Sequence, residues 1–409
     1  MKIILVHNRY REAGGEDVVF ESEKRLLQRA GHDVVTYERS NSELNDRSPF
    51  DHLSIASRMV WSWESRNRFA SLLDEVRPEI VHVHNTFMVI SPSIYSACSR
   101  RKIPVVQTLH NFRLLCPAGT LFRNGEICND CTNQTLLQSL RHGCYRHSRT
   151  ATAGVAAMLA FHRTLGTWST HVSCFIALTQ FARQKFIDCG FPSEKVVVKP
   201  NFADPDPIAR SGPGDCAVYI GRLTQDKGLH VLLKAWALLP EPYPLNIIGD
   251  GPERQPLEII VRELNLSGVT FKGWLPRSEV VQTLKSARFS VVPSLWYEGF
   301  PMCIVEAFAC GVPVLCSRLG GPKEIVQDRV TGLHFNPGDA RDLAAKVEWA
   351  WNHQAELLAM GHSARSVYER EFTAETNYSI LLSIYEKASA SLNFRNVPSC
   401  PIPLQSSTR

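Results

Sequence analysis

The sequence predicts an α/β protein built from two doubly wound domains, and three observations carry that reading. Short apolar strand candidates alternate with amphipathic helical stretches through the first half of the chain. The same alternation restarts near residue 216, after a stretch rich in Pro, Gly and Asp. The strand candidates are continuously apolar rather than alternating, which is the pattern of parallel strands covered by helices on both faces. At 409 residues, with 44% hydrophobic and 21% charged residues, the chain can bury about two such cores.

In chain order, the first set of strands is read at "KIILVH" (2–7), "DVVTY" (33–37), "IVHVH" (80–84), "PVVQTLH" (104–110) and "CFIALT" (174–179). Helical patterns such as "VVFESEKRLLQRAG" separate them. The second set is "CAVYIG" (216–221), "PLNIIGD" (244–250), "VTFKGW" (269–274), "FSVVP" (289–293) and "PVLCS" (313–317). Between the sets, "KPNFADPDPIARSGPGD" (199–215) concentrates residues that continue neither helix nor strand and reads as the linker. The expected organisation is an N-terminal domain over 1–200 and a C-terminal domain over 201–375. An amphipathic closing helix over 376–390 follows, and then a Pro- and Ser-rich tail over 391–409 that is expected to be disordered.

Composition narrows the class. No run of eighteen apolar residues occurs, and the apolar start "MKIILVHNRY" lacks a signal peptide's cleavage region, so a cytoplasmic protein is expected. Twelve cysteines, many within apolar runs such as "VSCFIAL", fit buried reduced thiols better than a disulfide scaffold. Residues 1–200 hold 25 Lys/Arg against 18 Asp/Glu, a net of +7, and the remainder holds 20 against 22, a net of −2. The basic first half allows peripheral contact with the inner face of a membrane, although its charges are scattered among acids, as on a solvated mixed surface.

In open α/β sheets ligands bind beyond the carboxyl ends of the strands, so residues just after strands carry the functional weight. Arg222 and Lys227 follow the first strand of the second domain and precede a helix. A guanidinium fork, a point charge and a helix N-terminus together suit a diphosphate. Gly14 and Gly15 open the first helix of the chain, where bare backbone can approach a ligand. His110, followed by Asn111, ends the strand "PVVQTLH", where its ring would face a cleft between the domains. In "WYEGFPMCIVEAFACGVPVLCS", Glu298 and Glu306 border one strand-to-helix crossover, with Gly299 and Phe300 between them offering backbone amides. Carboxylates accept paired hydrogen bonds from vicinal hydroxyls, so one could hold a ribose and the other a sugar. A carboxylate pair for glycoside hydrolysis would need no neighbouring phosphate site.

With these residues in order, the chain resembles the family 4 glycosyltransferases, which have the GT-B fold of two facing Rossmann-like domains. "GRLTQDKG", "IGDGPER", "PSLWYEGFPMCIVEAFACGVPVLCSRLGGPKEIV" and "TGLHFNPGD" carry the resemblance in the second half. "LVHNRYREAGGEDVV" and "HVHN…QTLHN" carry it more loosely in the first. The resemblance implies retaining transfer of a sugar from a UDP- or GDP-linked donor to an acceptor hydroxyl, in cell-envelope polysaccharide or glycolipid assembly. By position, Arg222 and Lys227 would hold the diphosphate, Glu306 the ribose, and Glu298 the donor sugar with help from Gly299 and Phe300. His110 would face the donor sugar, and the Gly14–Gly15 turn would lie near the phosphates or the acceptor. Another sugar-nucleotide enzyme of this fold, an epimerase or a phosphorylase, is the alternative reading.

The first domain departs from the family pattern in an insertion at about 111–150, where Cys116, Cys128, Cys131 and Cys144 are spaced C-x11-C-x2-C-x12-C. Four thiols with a C-x2-C knuckle in a loop expected to lack an apolar core suit a structural zinc. Free or redox-active thiols and an iron–sulfur cluster are the other readings. A nucleic-acid-binding module would add interleaved aromatic and basic residues, which the insertion lacks. The "DPD" at 204–206 falls in the linker rather than at a strand end, and with Arg222 and Lys227 facing the phosphates the chemistry is expected to require no metal cofactor.

Overall fold

The computed structural model describes residues 1–12, 14–44 and 49–394. Strands β1 (Lys2–Arg9), β2 (Asp33–Ser40), β3 (Ile80–Val83) and β4 (Val105–Leu109) appear where the apolar runs place them. A small hairpin, β5 (Phe122–Arg123) and β6 (Glu126–Ile127), lies within the insertion, and β7 (Cys174–Ala177) and β8 (Val196–Val198) complete the first domain. The second domain contributes β9 (Cys216–Ile220), β10 (Leu245–Ile248), β11 (Val269–Gly273), β12 (Ala287–Val292), β13 (Val314–Ser317) and β14 (Gly332–Phe335).

Two six-stranded sheets result, ordered β2-β1-β3-β4-β7-β8 and β11-β10-β9-β12-β13-β14. Every pairing within them is parallel, with Leu5 of β1 opposite Thr36 of β2 on one side and His82 of β3 on the other. The order reverses between β1 and β3 in the first sheet and between β9 and β12 in the second. Those reversals open crevices at the carboxyl ends of the strands, where ligands of such sheets bind.

Each sheet is buried on both faces. The helix Gly15–Arg29 turns Val19, Phe20, Glu23, Leu26 and Leu27 inward at helical spacing. The closing helix Ala374–Phe394 belongs structurally to the first domain: its Leu381, Ile384, Tyr385 and Ala388 pack with Ile3, Leu5, Phe20 and Val106. The expected tail falls, from residue 395 onward, outside the described residues.

Two expectations change. Lys199, the first residue assigned to the linker, is fully buried, because its ammonium is 2.6 Å from Glu23 Oε1 and 3.0 Å from Asn377 Oδ1. The insertion does have an apolar footing, since Phe112, Leu114, Leu115, Cys116 and Leu121 enter the core of the first domain. Both carboxylates of the "DPD" stretch are taken by arginines, Asp204 by Arg29 at 2.6 Å and Asp206 by both amino groups of Arg365 at 2.7 and 2.6 Å.

Candidate functional site

The second domain builds one lip of a cleft from the loops after β9 and β12. Gly228 stands at φ +71°, and a Cβ there would lie 2.1 Å from the Pro293 carbonyl oxygen. The absent side chain lets the Gly221–Gly228 loop seat directly on the end of β12. Lys227 Nζ thereby reaches Glu298 Oε1 at 2.6 Å, and the same oxygen accepts from Ser294 Oγ at 2.6 Å. Burial acts to depress the Lys227 ammonium, but the Glu298 carboxylate outweighs it and raises the pKa. Among the described residues nothing hydrogen-bonds Glu298 Oε2. Arg222 is half-exposed and stands 3.8 Å from Glu12 of the opposite domain, a surface pairing too weak to hold it from a phosphate.

The loop after β12 then crosses to the first domain. A Cβ on Gly299 would lie 3.0 Å from the His110 carbonyl oxygen, so this backbone meets the end of β4 directly. The Gly321 N–H donates to the Glu298 carbonyl at 3.1 Å and ties the loop from behind. The Phe300 ring is buried against Phe372, with centroids 5.8 Å apart, which leaves its backbone rather than its ring for a ligand. Glu306 lies in the helix Met302–Ala309, half-buried, with its pKa raised by burial against the opposing pull of Arg277. No hydrogen-bond or ion-pair partner reaches it among the described residues, a state that a ligand's hydroxyls could relieve.

The facing lip comes from the ends of β1, β3 and β4. Asn8 accepts from the amides of Val89 and Ile90 at 2.9 and 3.1 Å and fixes the loop after β3. Beside His110 this loop forms a pocket lined by Tyr10, Asn85, Phe87, Asn111 and Arg113. Glu16 sits between Asn85 (2.8 Å) and Asn111 (3.3 Å), and burial, reinforced by Asp17, pushes its pKa up to about 8. The helix end beside it is already occupied: Asp17 Oδ2 accepts the Gly14 amide at 2.7 Å. Gly15 is exposed, with open space where a Cβ would stand. His110 Nε2 is 3.0 Å from His84 Nδ1, with the rings stacked 5.2 Å apart.

The four cysteines lie in the insertion, but their sulfurs do not all come within 4.8 Å of one another. Cys131 and Cys116 interact directly: the hydrogen bond between them lowers the Cys116 pKa and raises that of Cys131. Burial and the neighbouring Cys116 raise that of Cys144. Among the described residues the group of donor atoms lying within 4.8 Å of one another is Glu23, His82 and His84 rather than these sulfurs.

Two family models cover most of the chain, Glycosyltransferase Family 4 over residues 13–207 and Glycosyl transferases group 1 over 204–367. The chain belongs to the family 4 glycosyltransferases. Its relatives include the amylovoran biosynthesis glycosyltransferase AmsK of Erwinia amylovora, 28% identical over 227 residues, 52% of this chain and 56% of that one. The O-antigen chain mannosyltransferase B of Escherichia coli is 31% identical over 228 residues, 49% of this chain and 59% of that one. The chain thus spans between half and two thirds of the length of these curated relatives. Among solved structures, Anabaena HepE in complex with UDP has a TM-score of 0.65 at 20% identity, covering 94% of this chain and 100% of that one. Sucrose-phosphate synthase from Thermosynechococcus elongatus has a TM-score of 0.69 at 17% identity, covering 95% and 99%. The fold is accordingly the two-domain GT-B arrangement.

In this family 4 protein the structure brings Arg222, Lys227, Glu298 and Gly299 to one lip and sets His110 against it. Sequence reasoning missed Ser294, Gly321, Glu16, Glu23 and His84. A carboxylate one residue beyond Gly15 and the doubled histidines of "HVHN" were the available signals.

Proposed function

We propose that this protein is a retaining glycosyltransferase that moves a sugar from a UDP- or GDP-linked donor to an acceptor hydroxyl, in assembly of a cell-envelope polysaccharide or glycolipid. The reading is supported by the second-domain lip, where the half-exposed Arg222 and the Lys227–Glu298 pair share the loops after β9 and β12, and Glu306 follows on the next helix with no hydrogen-bond partner among the described residues. Arg222 and Lys227 neutralise the departing diphosphate, and Glu306 accepts from the ribose. Glu298, with one oxygen held by Lys227 and Ser294, offers the other to the donor sugar. The amides of Gly299 and Phe300 and the His110 ring complete the sugar's surroundings. The Gly14–Gly15 turn and the pocket beside His110 face the acceptor side. Preorganised charge aimed at the leaving diphosphate is the main source of rate here, since transfer needs the reacting atoms held in place and water excluded. The names of relatives that assemble amylovoran and O-antigen support the polysaccharide class, and the UDP complex of HepE supports a nucleotide-sugar donor. No helix among the described residues is long and apolar enough to cross a membrane, so contact with a membrane-borne acceptor would be peripheral, through the basic first domain.

Titration calorimetry with UDP and GDP tests the site. Arg222→Ala and Lys227→Ala should each weaken the preferred nucleotide about tenfold or more, the worth of a charge-assisted hydrogen bond. NMR of the product should show the donor's anomeric configuration kept, and an inverted anomer would overturn the reading.

A structural zinc held by Cys116, Cys128, Cys131 and Cys144 is part of the proposal. Four thiols on one loop suit the ion in kind, and the amides of Leu121, Gly119 and Ala118 already favour a thiolate at Cys116. The ion would pin the insertion and take no part in transfer. Elemental analysis should find about one zinc per chain, lost in Cys131→Ala; metal-free, fully active protein would point to free thiols instead.

A further inference from the structure

Behind His110 runs a column of buried groups that the transfer reaction as described does not use. His110 Nε2 is 3.0 Å from His84 Nδ1, and His84 Nε2 is 3.3 Å from Glu23 Oε2. Neither His84 Nε2 nor Glu23 Oε2 has a hydrogen-bond partner by geometry, so each is the nearest polar atom to the other across a 3.3 Å charge contact. Glu23 Oε1 is held by Lys199 Nζ at 2.6 Å, and Lys199 by Asn377 of the closing helix at 3.0 Å. Glu23, His84 and Lys199 are all buried, and His110 alone reaches the cleft. His82 stands beside the column, with Nδ1 2.8 Å from the Tyr385 hydroxyl and Nε2 2.8 Å from Thr108 Oγ1.

The spacing of Glu23, His82 and His84 would also suit a divalent cation. Lys199 already supplies the positive charge there, and both nitrogens of His82 are engaged. The column is therefore read as a chain of polar contacts running from Lys199 and Glu23 through His84 to His110 rather than as a metal site.

Its polarity follows from its root. An ionised carboxylate only accepts hydrogen bonds, so with Lys199 paired to Glu23 the proton between Glu23 and His84 belongs on His84 Nε2. Burial favours the neutral form of His84, whose Nδ1 is then a lone pair. The facing Nε2 of His110 must supply the hydrogen. We infer that Glu23 and His84 are positioning residues that fix the His110 imidazole as its Nε2–H tautomer, leaving Nδ1 as the ring's acceptor. The inference rests on His110 being a donor-facing residue. A ring locked in one tautomer presents one hydrogen-bonding character to a sugar hydroxyl, and the cost of orienting it is met before substrate arrives.

The test starts on unmutated protein labelled with 15N-histidine, with the His110 resonances assigned by their loss in His110→Gln. At pH 7.5 Nε2 should be protonated and Nδ1 not; a proton on Nδ1, or an imidazolium, overturns the inference without any further variant. His84→Phe keeps a ring in the stack and removes the acceptor, so kcat should fall about ten- to hundredfold with donor KM changed less than about threefold. His84→Asn returns an acceptor oxygen near the lost Nδ1 and should recover most of that rate, which a merely structural role would not predict. If His110→Ala itself leaves kcat untouched, the donor-facing role of His110 fails. If His110→Ala is slow but a folded His84→Phe runs at the normal rate with the tautomer unchanged, the positioning role alone fails.

Discussion

Glu16 shows most clearly what a single residue does here that its neighbours in sequence do not announce. Its raised pKa, about 8, means that the folded chain holds its proton more tightly than the unfolded chain does. The sign follows: its contribution is most favourable to folding below the ordinary carboxylate pKa of about 4.5, shrinks as pH rises, and is lost above about 8. Replacing it with Gln, which keeps an acceptor for Asn85, should raise the melting temperature at pH 8.5 and change little at pH 4.5. Parallel melting curves for the two proteins across that range would contradict the burial account. Glu298 and Glu306 could be singled out from sequence because they border one strand-to-helix crossover, although the pairing of Glu298 with Lys227, 71 positions away, could not be read there. Glu16, Glu23 and His84 could not be singled out, because their partners lie on other strands; Asn85 is 69 positions from Glu16. No local pattern encodes such pairings.

At the scale of elements, the strands of the two sheets were legible as apolar runs except β8 and β14. The runs at β1, β4 and β13 announce themselves by continuous aliphatic residues. The three residues of β8 are too few for a run to signal, and β14, GLHF, opens on a glycine and has only two apolar residues, split by its histidine. The hairpin in the insertion is shorter still, and its apolar footing was hidden because the buried residues are interleaved with arginine and proline. Turn glycines can be ranked only once the opposing backbone is known. Gly228→Ala should cost about 1–3 kcal/mol and weaken nucleotide binding as well, because φ is positive and the new methyl meets the Pro293 carbonyl. Gly15→Ala, facing open space, should cost less than about 0.5 kcal/mol. Denaturant melts of the two variants check the contrast; equal losses would mean that the loop after β9 relaxes more readily than its packing implies.

On the scale of the whole molecule, the two domains are joined by more than their linker. The Glu324 carboxylate of the second domain accepts from the backbone amides of Gln180 and Phe181, at 2.7 Å each. These amides open the helix Gln180–Asp188 of the first domain, so a side chain of one domain caps a helix of the other. Beside it, Phe181 packs on Tyr297, with ring centroids 4.8 Å apart, and Lys185 Nζ lies 5.1 Å from the Tyr297 ring centroid. Tyr297 adjoins Glu298, so this clasp sits at the lip that positions the proposed sugar site. A capping carboxylate is worth about 0.5–2 kcal/mol, enough to shift an open–closed equilibrium by up to about thirtyfold. Glu324→Ala should therefore populate a more open molecule, seen as a larger radius of gyration by small-angle scattering without nucleotide. Donor KM should rise severalfold, because part of the binding energy must then close the cleft, while the melting of each domain should hardly move. Glu324→Gln retains one acceptor and should fall between the two. If scattering and KM both match the unaltered protein, the closed arrangement is held by the Phe181–Tyr297 contact and the closing helix, and the capping carboxylate is incidental to it.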